Sequence, residues 1–180
     1  PYLETDEKDG SDTYAKTKSL GEIYSKNHLT IRTSVIGPEI INGSGELFHW
    51  FMNQSGVIEG FTKAIWSGVT TIELAKAVKW FINNNTIGLY HLTNGIPIKK
   101  YDLLHLFKKH TNNNIEIAKV DGVVTNKSFA DTRQEINYQL RIYDEMIRDM
   151  ILLTKNERKF MVITICKDNL LHPKLGYQRL

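Results

Sequence analysis

Asp12-Thr13-Tyr14-Ala15-Lys16-Thr17-Lys18-Ser19-Leu20-Gly21-Glu22 is the stretch that decides the fold. Ser11 or Asp12 can cap a helix that runs on to about Asn27. An α-helix repeats every ~3.6 residues, so Tyr14 and Lys18, four apart, share one face in its first turns. A phenol there can carry a proton to or from a bound carbonyl, and a neighbouring ammonium favours the phenolate. In a chain with eight tyrosines such spacing arises by chance, so the flanking residues must decide. Leu29-Thr30-Ile31-Arg32-Thr33-Ser34-Val35 follows closely and reads as a strand, with Ile36-Gly37-Pro38 closing it. A buried parallel strand in that place would set the phenol by the crevice at the strands' carboxyl ends.

Further along, Glu46 to about Ser55 reads as a short helix rich in aromatics, with Phe48, Trp50 and Phe51 as core candidates. Val57 to Phe61 reads as a short strand. Thr70 and Glu73 fit a capping box for a helix to about Asn83, with Ile72, Ala75, Val78 and either Lys79 or Phe81 tracking its period. Gly88 to Thr93 is a strand, and Asn94-Gly95 with Pro97 a turn. Lys99 to His110 is an amphipathic helix with Leu103, Leu104, Leu106 and Phe107 as its apolar members. Ile115 to Val120 is a strand, Thr125 to Thr132 extended or irregular, and Tyr143 to about Leu153 the last well-patterned helix. Met161 to Cys166 is a short apolar run read as a stray strand. Alternation of this kind predicts an α/β fold containing a parallel sheet.

Composition removes several classes of function. The 180 residues are 41% hydrophobic and 24% charged, with a net charge of +3, ordinary for a globular protein of one core. Lys99-Lys100 and Lys108-Lys109 read as solvated helix faces, so no nucleic-acid partner is expected. The single cysteine, Cys166, rules out an intrachain disulfide or a cysteine metal cluster, and reads as a small buried apolar residue. His105 and His110 are five apart, poor spacing for a shared metal. No apolar stretch approaches ~18 residues, so no membrane span is expected, and a cytoplasmic location is the default. Gly43-Ser44-Gly45 lacks the strand that would make it a phosphate cradle.

The block from Asp12 to Glu22 resembles the active-site helix of extended short-chain dehydrogenase/reductases. It is most similar to the dTDP-4-dehydrorhamnose reductase branch, with its Tyr-Gly-x-x-Lys-x-x-Gly-Glu pattern, except that Ala15 stands in place of the small Gly. Leu29 to Pro38 is similar to the strand and turn that follow there. Ala64-Ile65-Trp66-Ser67-Gly68-Val69-Thr70-Thr71-Ile72-Glu73-Leu74-Ala75-Lys76, Gly88 to Asn94 and Lys127-Ser128-Phe129-Ala130-Asp131-Thr132-Arg133 resemble later blocks of the branch.

The resemblance covers residues 1–150 and leaves 151–180 as a divergent tail, in which His172 to Tyr177 is only distantly similar to the family ending. It implies NAD(P)H-dependent reduction of a 4-keto-6-deoxy sugar nucleotide. By the resemblance Tyr14 is the general acid, and Lys18 holds the nicotinamide ribose and lowers the phenol's pKa. Thr33, Ser34 and Val35 border nicotinamide and substrate. Trp66 and Arg32 are candidates for substrate contact, with packing the preferred reading. The family opens with a strand and a Gly-rich turn that seats the pyrophosphate of NADP or NAD, and carries a Ser or Thr upstream of the Tyr. Nothing before Tyr14 supplies either. The expected architecture is therefore the C-terminal half of a Rossmann-type fold intertwined with a small α/β substrate lobe, the N-terminal Gly-rich half missing. A homodimer or a complementing N-terminal half is the matching partner. Two alternatives remain open: a non-catalytic reductase-like module binding a sugar nucleotide or a protein, and a related nucleotide-sugar epimerase or dehydratase.

Overall fold

The computed structural model describes residues 1–25, 27–38 and 46–167, with side chains described as far as residue 155. Gly43-Ser44-Gly45, the Cys166 side chain and His172 to Tyr177 lie outside that description.

Asp12 caps α1 (Thr13–Leu20), its carboxylate accepting from the Ala15 N–H at 2.7 Å. The helix stops at Leu20, short of the expected Asn27, with Gly21 as its C-cap. Glu22 and Tyr24 beyond it turn towards Arg32 instead.

The expected single strand from Leu29 to Val35 is two: β1 (Leu29–Arg32) and β2 (Val35–Ile36). The chain changes partner between them. Arg32 O still accepts from Leu92 N at 2.9 Å, whereas Ser34 O accepts from Val69 N at 2.9 Å. β1 accordingly pairs in parallel with β6 (Gly88–His91), and β2 with β5 (Val69–Thr70). Gly68 is fixed by this switch, since an added Cβ would lie 2.1 Å from the Ser34 carbonyl oxygen.

β3 (Val57–Phe61) pairs in parallel with β8 (Glu116–Val120). β4 (Ala64–Trp66) lies between β9 (Thr125–Lys127), in parallel, and β7 (Ile98–Lys99), antiparallel. Strands of two or three residues have too little alternation to show in sequence, which is why β4, β5 and β7 escape it.

The helices close the core. α2 (Leu47–Met52) buries Phe48 and Phe51 against Phe107 of α4 (Lys100–Thr111), with ring centroids 5.1 and 5.6 Å apart. Leu103, Leu104 and Phe107 are the buried stripe of α4, as their spacing predicts. In α3 (Thr71–Asn83) the buried line is Glu73, Ala77 and Phe81; Phe81 is inside as expected, whereas Ile72 is only partly buried and Ala75 and Val78 are exposed. The face is rotated because the Glu73 carboxylate is drawn inward by Arg141. Thr70 does cap the helix, accepting from the Glu73 N–H, but the Glu73 side chain goes to Arg141.

α5 runs from Tyr143 to Lys167 and takes in Met161 to Cys166, so the expected stray strand is helix. Its first turns bury Tyr143, Met146, Ile147, Met150 and Ile151 in the common core. That continuity also carries helix past the expected boundary at residue 150. No helix among the described residues is long and apolar enough to cross a membrane.

Candidate active site

α1 buries none of its residues. Tyr14 is 72% exposed and Leu20 85%, so the helix presents its side chains outward. Tyr14 and Lys18 meet as their spacing predicts, with the Lys18 ammonium 5.5 Å from the centre of the Tyr14 ring. The Tyr14 carbonyl accepts from Thr17 Oγ1 at 2.8 Å, inside the helix. The phenol O–H and the ammonium are left as neighbouring donors on one open face. A donor set of that kind suits a carbonyl oxygen and the hydroxyls of a ribose.

Thr33, Ser34 and Val35 lie at the carboxyl end of β1, where the chain leaves β6 for β5. Thr33 Oγ1 donates to Leu92 O at 2.8 Å. Ser34 offers its backbone carbonyl to Val69, and Val35 is exposed. Thr33 is thus held through its hydroxyl and Ser34 through its backbone carbonyl, while Val35 pairs with Val69 and its side chain is exposed.

A cluster of charges that the spacing argument did not resolve joins α1 to this strand end. Glu22 accepts from Arg32 through both carboxylate oxygens, at 2.8 Å from Nε and 2.9 Å from Nη2. It also takes Lys8 Nζ at 2.8 Å and the Tyr24 hydroxyl. Lys8 in turn donates to Ser19 O at 3.2 Å, in the last turn of α1. The bidentate fork is the geometry for which arginine is suited. The Arg32 hydrogen bonds hold the Glu22 carboxyl down to about 2, overcoming the opposing effect of burial. A carboxyl lowered on folding stabilises the fold above its unfolded value and loses that contribution as pH falls towards its folded value. Glu22 therefore contributes fully above about 4.5 and progressively less towards about 2. The expected result is an acid unfolding limb that flattens over that window in Glu22→Gln, read by circular dichroism against pH. An unchanged limb would remove Glu22 from the acid-sensitive groups.

Arg32 continues the network. Its Nη1 lies 3.4 Å from Glu4 O and 3.4 Å from His91 Nε2. A guanidinium only donates, so His91 accepts at Nε2 and carries its proton on Nδ1, which donates to Ala130 O at 3.1 Å. His91 is 1% exposed. Glu4 accepts from the His91 N–H at 3.1 Å and from the Thr132 hydroxyl. Burial alone would raise the Glu4 carboxyl, but these hydrogen bonds bring it below its usual value.

The separate blocks that carry the resemblance therefore meet. β4 pairs Trp66 with Lys127, Ser67 Oγ accepts from Phe129 N at 2.7 Å, and Tyr90 donates to Asp131 at 3.1 Å. Burial raises both the Tyr90 phenol and the Asp131 carboxyl. Trp66 packs on Tyr143, ring centroids 5.9 Å apart, and Arg32 is ion-paired with Glu22.

No protein-family model and no curated protein matches the chain. Solved structures do. A dTDP-4-dehydrorhamnose reductase of Clostridium acetobutylicum matches at TM-score 0.68 and 16% identity, over 86% of this chain and 60% of that one. The dTDP-4-dehydrorhamnose reductase of Bacillus anthracis, solved in complex with NADP, matches at 0.62 and 16%, over 78% and 53%. A UDP-N-acetylglucosamine 4-epimerase of Methanobrevibacter ruminantium matches at 0.58 and 17%, over 79% and 50%. The chain spans between half and three fifths of the length of these structures. Over that span it has the Rossmann-type α/β fold that these reductase and epimerase structures share.

Proposed function

We propose that the chain is part of an NAD(P)H-dependent reductase acting on a 4-keto-6-deoxy sugar nucleotide. One observation carries the reading: Tyr14 and Lys18 stand together, outward, on a capped helix tied to the carboxyl end of a parallel strand. The fold shared with dTDP-4-dehydrorhamnose reductases supports it.

The residues present fit a nicotinamide cofactor, NADP or NAD, in one respect. The open face of α1 offers a phenol and an ammonium side by side, and no core packing competes for them. When bound, the cofactor supplies the hydride that goes to the keto carbon. Tyr14 holds a proton on its phenol oxygen and gives it to the keto oxygen, so that the carbonyl becomes an alcohol. Lys18 stabilises the phenolate left behind by its adjacent positive charge and donates to ribose hydroxyls. The phenolate then recovers its proton from solvent. Thr33, Ser34 and Val35 shape the border of the site through the backbone turn from β1 to β2.

The fold is shared with a UDP-N-acetylglucosamine 4-epimerase as well, which supports a second reading in which hydride is returned to the sugar and no cofactor is consumed overall. The test is turnover by the full-length protein carrying this chain, given a dTDP-4-keto-6-deoxy sugar and NADPH. Stoichiometric loss of NADPH absorbance is the expected result. Interconversion of sugar nucleotides with no net NADPH loss would replace the reductase reading with the epimerase one.

A further inference from the structure

The helix carrying Tyr14 is held by a polar clamp rather than by the core. It buries no residue. At its first turn the Asp12 carboxylate holds one N–H. Past its last turn, Glu22 receives Arg32 at both oxygens, together with Lys8 and Tyr24, while Lys8 also holds Ser19 O. Arg32 stands on β1 and is braced from behind by Glu4 O and His91 Nε2. The chain of contacts thus runs from α1 through Glu22 and Arg32 to the buried His91 and the segment from Ala130 to Thr132.

We propose that Glu22 and Arg32 are a positioning pair that sets where α1 holds the Tyr14 phenol against the carboxyl end of β1. This rests on the reductase reading above. A helix with no buried face has no packing to restore its place once the pair is broken. A misplacement of about 1 Å at a proton donor costs on the order of 10²-fold in rate. Neither residue touches substrate; both act through α1.

Two measurements on Glu22→Gln test the pair. The first is hydrogen exchange, which needs no activity. Amides of α1 should exchange at least about tenfold faster than in the unsubstituted protein, the loss of one charge-assisted hydrogen bond felt locally. Amides of α3 and α4 should keep their protection. Unchanged exchange in α1 overturns the proposal whatever the enzyme does, as does an equal loss across all helices. The second is kinetic, on the full-length protein. We expect kcat to fall by about 10²-fold, KM for NADPH to rise as well because Lys18 moves with α1, and the solvent deuterium isotope effect on kcat to rise as proton transfer becomes slower. A fall in kcat that only follows the unfolded fraction, with the isotope effect unchanged, makes the pair structural and refutes positioning. Should Glu22→Gln fail to fold, Arg32→Lys keeps the charge, loses the fork and carries the same two expectations. If α1 exchange rises as expected but Tyr14→Phe stays fully active, the reductase reading fails and the clamp stands.

Discussion

Tyr14→Phe in the full-length protein is expected to lower kcat for reduction of a 4-keto sugar nucleotide by about 10²- to 10⁴-fold, the usual worth of one positioned acid. The substitution removes a single oxygen. Tyr14 is 72% exposed, its ring fills no part of the core, and its phenol oxygen is not needed to hold α1, which depends on Asp12 and Glu22. The thermal midpoint should therefore stay where it is, and so should affinity for NADPH, which the proposed function assigns to Lys18 rather than to the Tyr14 oxygen. Loss of kcat with both held constant is the signature of an interaction used only in the transition state. Stopped-time NADPH consumption beside a melting curve provides the check. A variant that turns over at near the original rate would strip Tyr14 of its role and, with it, the main support for the reductase reading.

The parts of the molecule that were legible in the sequence are those in which cause and effect lie within a few residues. Asp12 and Thr70 announce their helices because a cap bonds three residues ahead. Leu103, Leu104 and Phe107 announce a buried stripe because one helical turn brings them together. Tyr14 and Lys18 meet for the same reason. What was hidden depends on distance along the chain. Glu22 was visible as part of a motif, but its bond to Arg32 crosses a loop, and the bracing of Arg32 by His91 spans 59 residues. Glu4 reaches His91 across 87 and Thr132 across 128. No local pattern marks such a carboxylate as buried. The split of the first strand was hidden too, because it arises from a change of partner from β6 to β5 and not from any weakness in Leu29 to Ile36. The rotated face of α3 has the same origin. A periodicity count places an acidic residue outside, and only Arg141, 68 residues away, explains why Glu73 is inside.

That same pair gives the largest expected loss of stability. Glu73 is 2% exposed, and Arg141 donates to it from Nε at 3.1 Å and from Nη2 at 2.6 Å. The third arm of the guanidinium reaches Asp149 of α5 at 2.5 Å. One side chain thus ties α3, the segment before α5 and α5 itself. Arg141→Met leaves a carboxylate in the core with the half-exposed Lys76, at 3.9 Å, as its remaining ion-pair partner among the described residues. Removing one partner of a buried pair costs about 3–5 kcal/mol, because the other charge stays desolvated. For a chain of this length each kcal/mol lowers the melting temperature by about 2–4 °C, so a fall of roughly 6–20 °C is expected. The surface pair Lys63–Asp121, with both side chains more than half exposed, is the control. Lys63→Met should cost no more than about 1 kcal/mol. The double variant Glu73→Met with Arg141→Met separates two explanations of the loss. If the damage comes from the stranded carboxylate, the double variant recovers most of the lost melting temperature, since apolar replacement of a whole buried pair is close to neutral. If Arg141 matters instead as the tie between helices, the double variant melts as low as the single one. We expect recovery, because α3 and α5 also meet through the apolar core that Phe81, Met146 and Met150 share, and that contact survives without the ion pair.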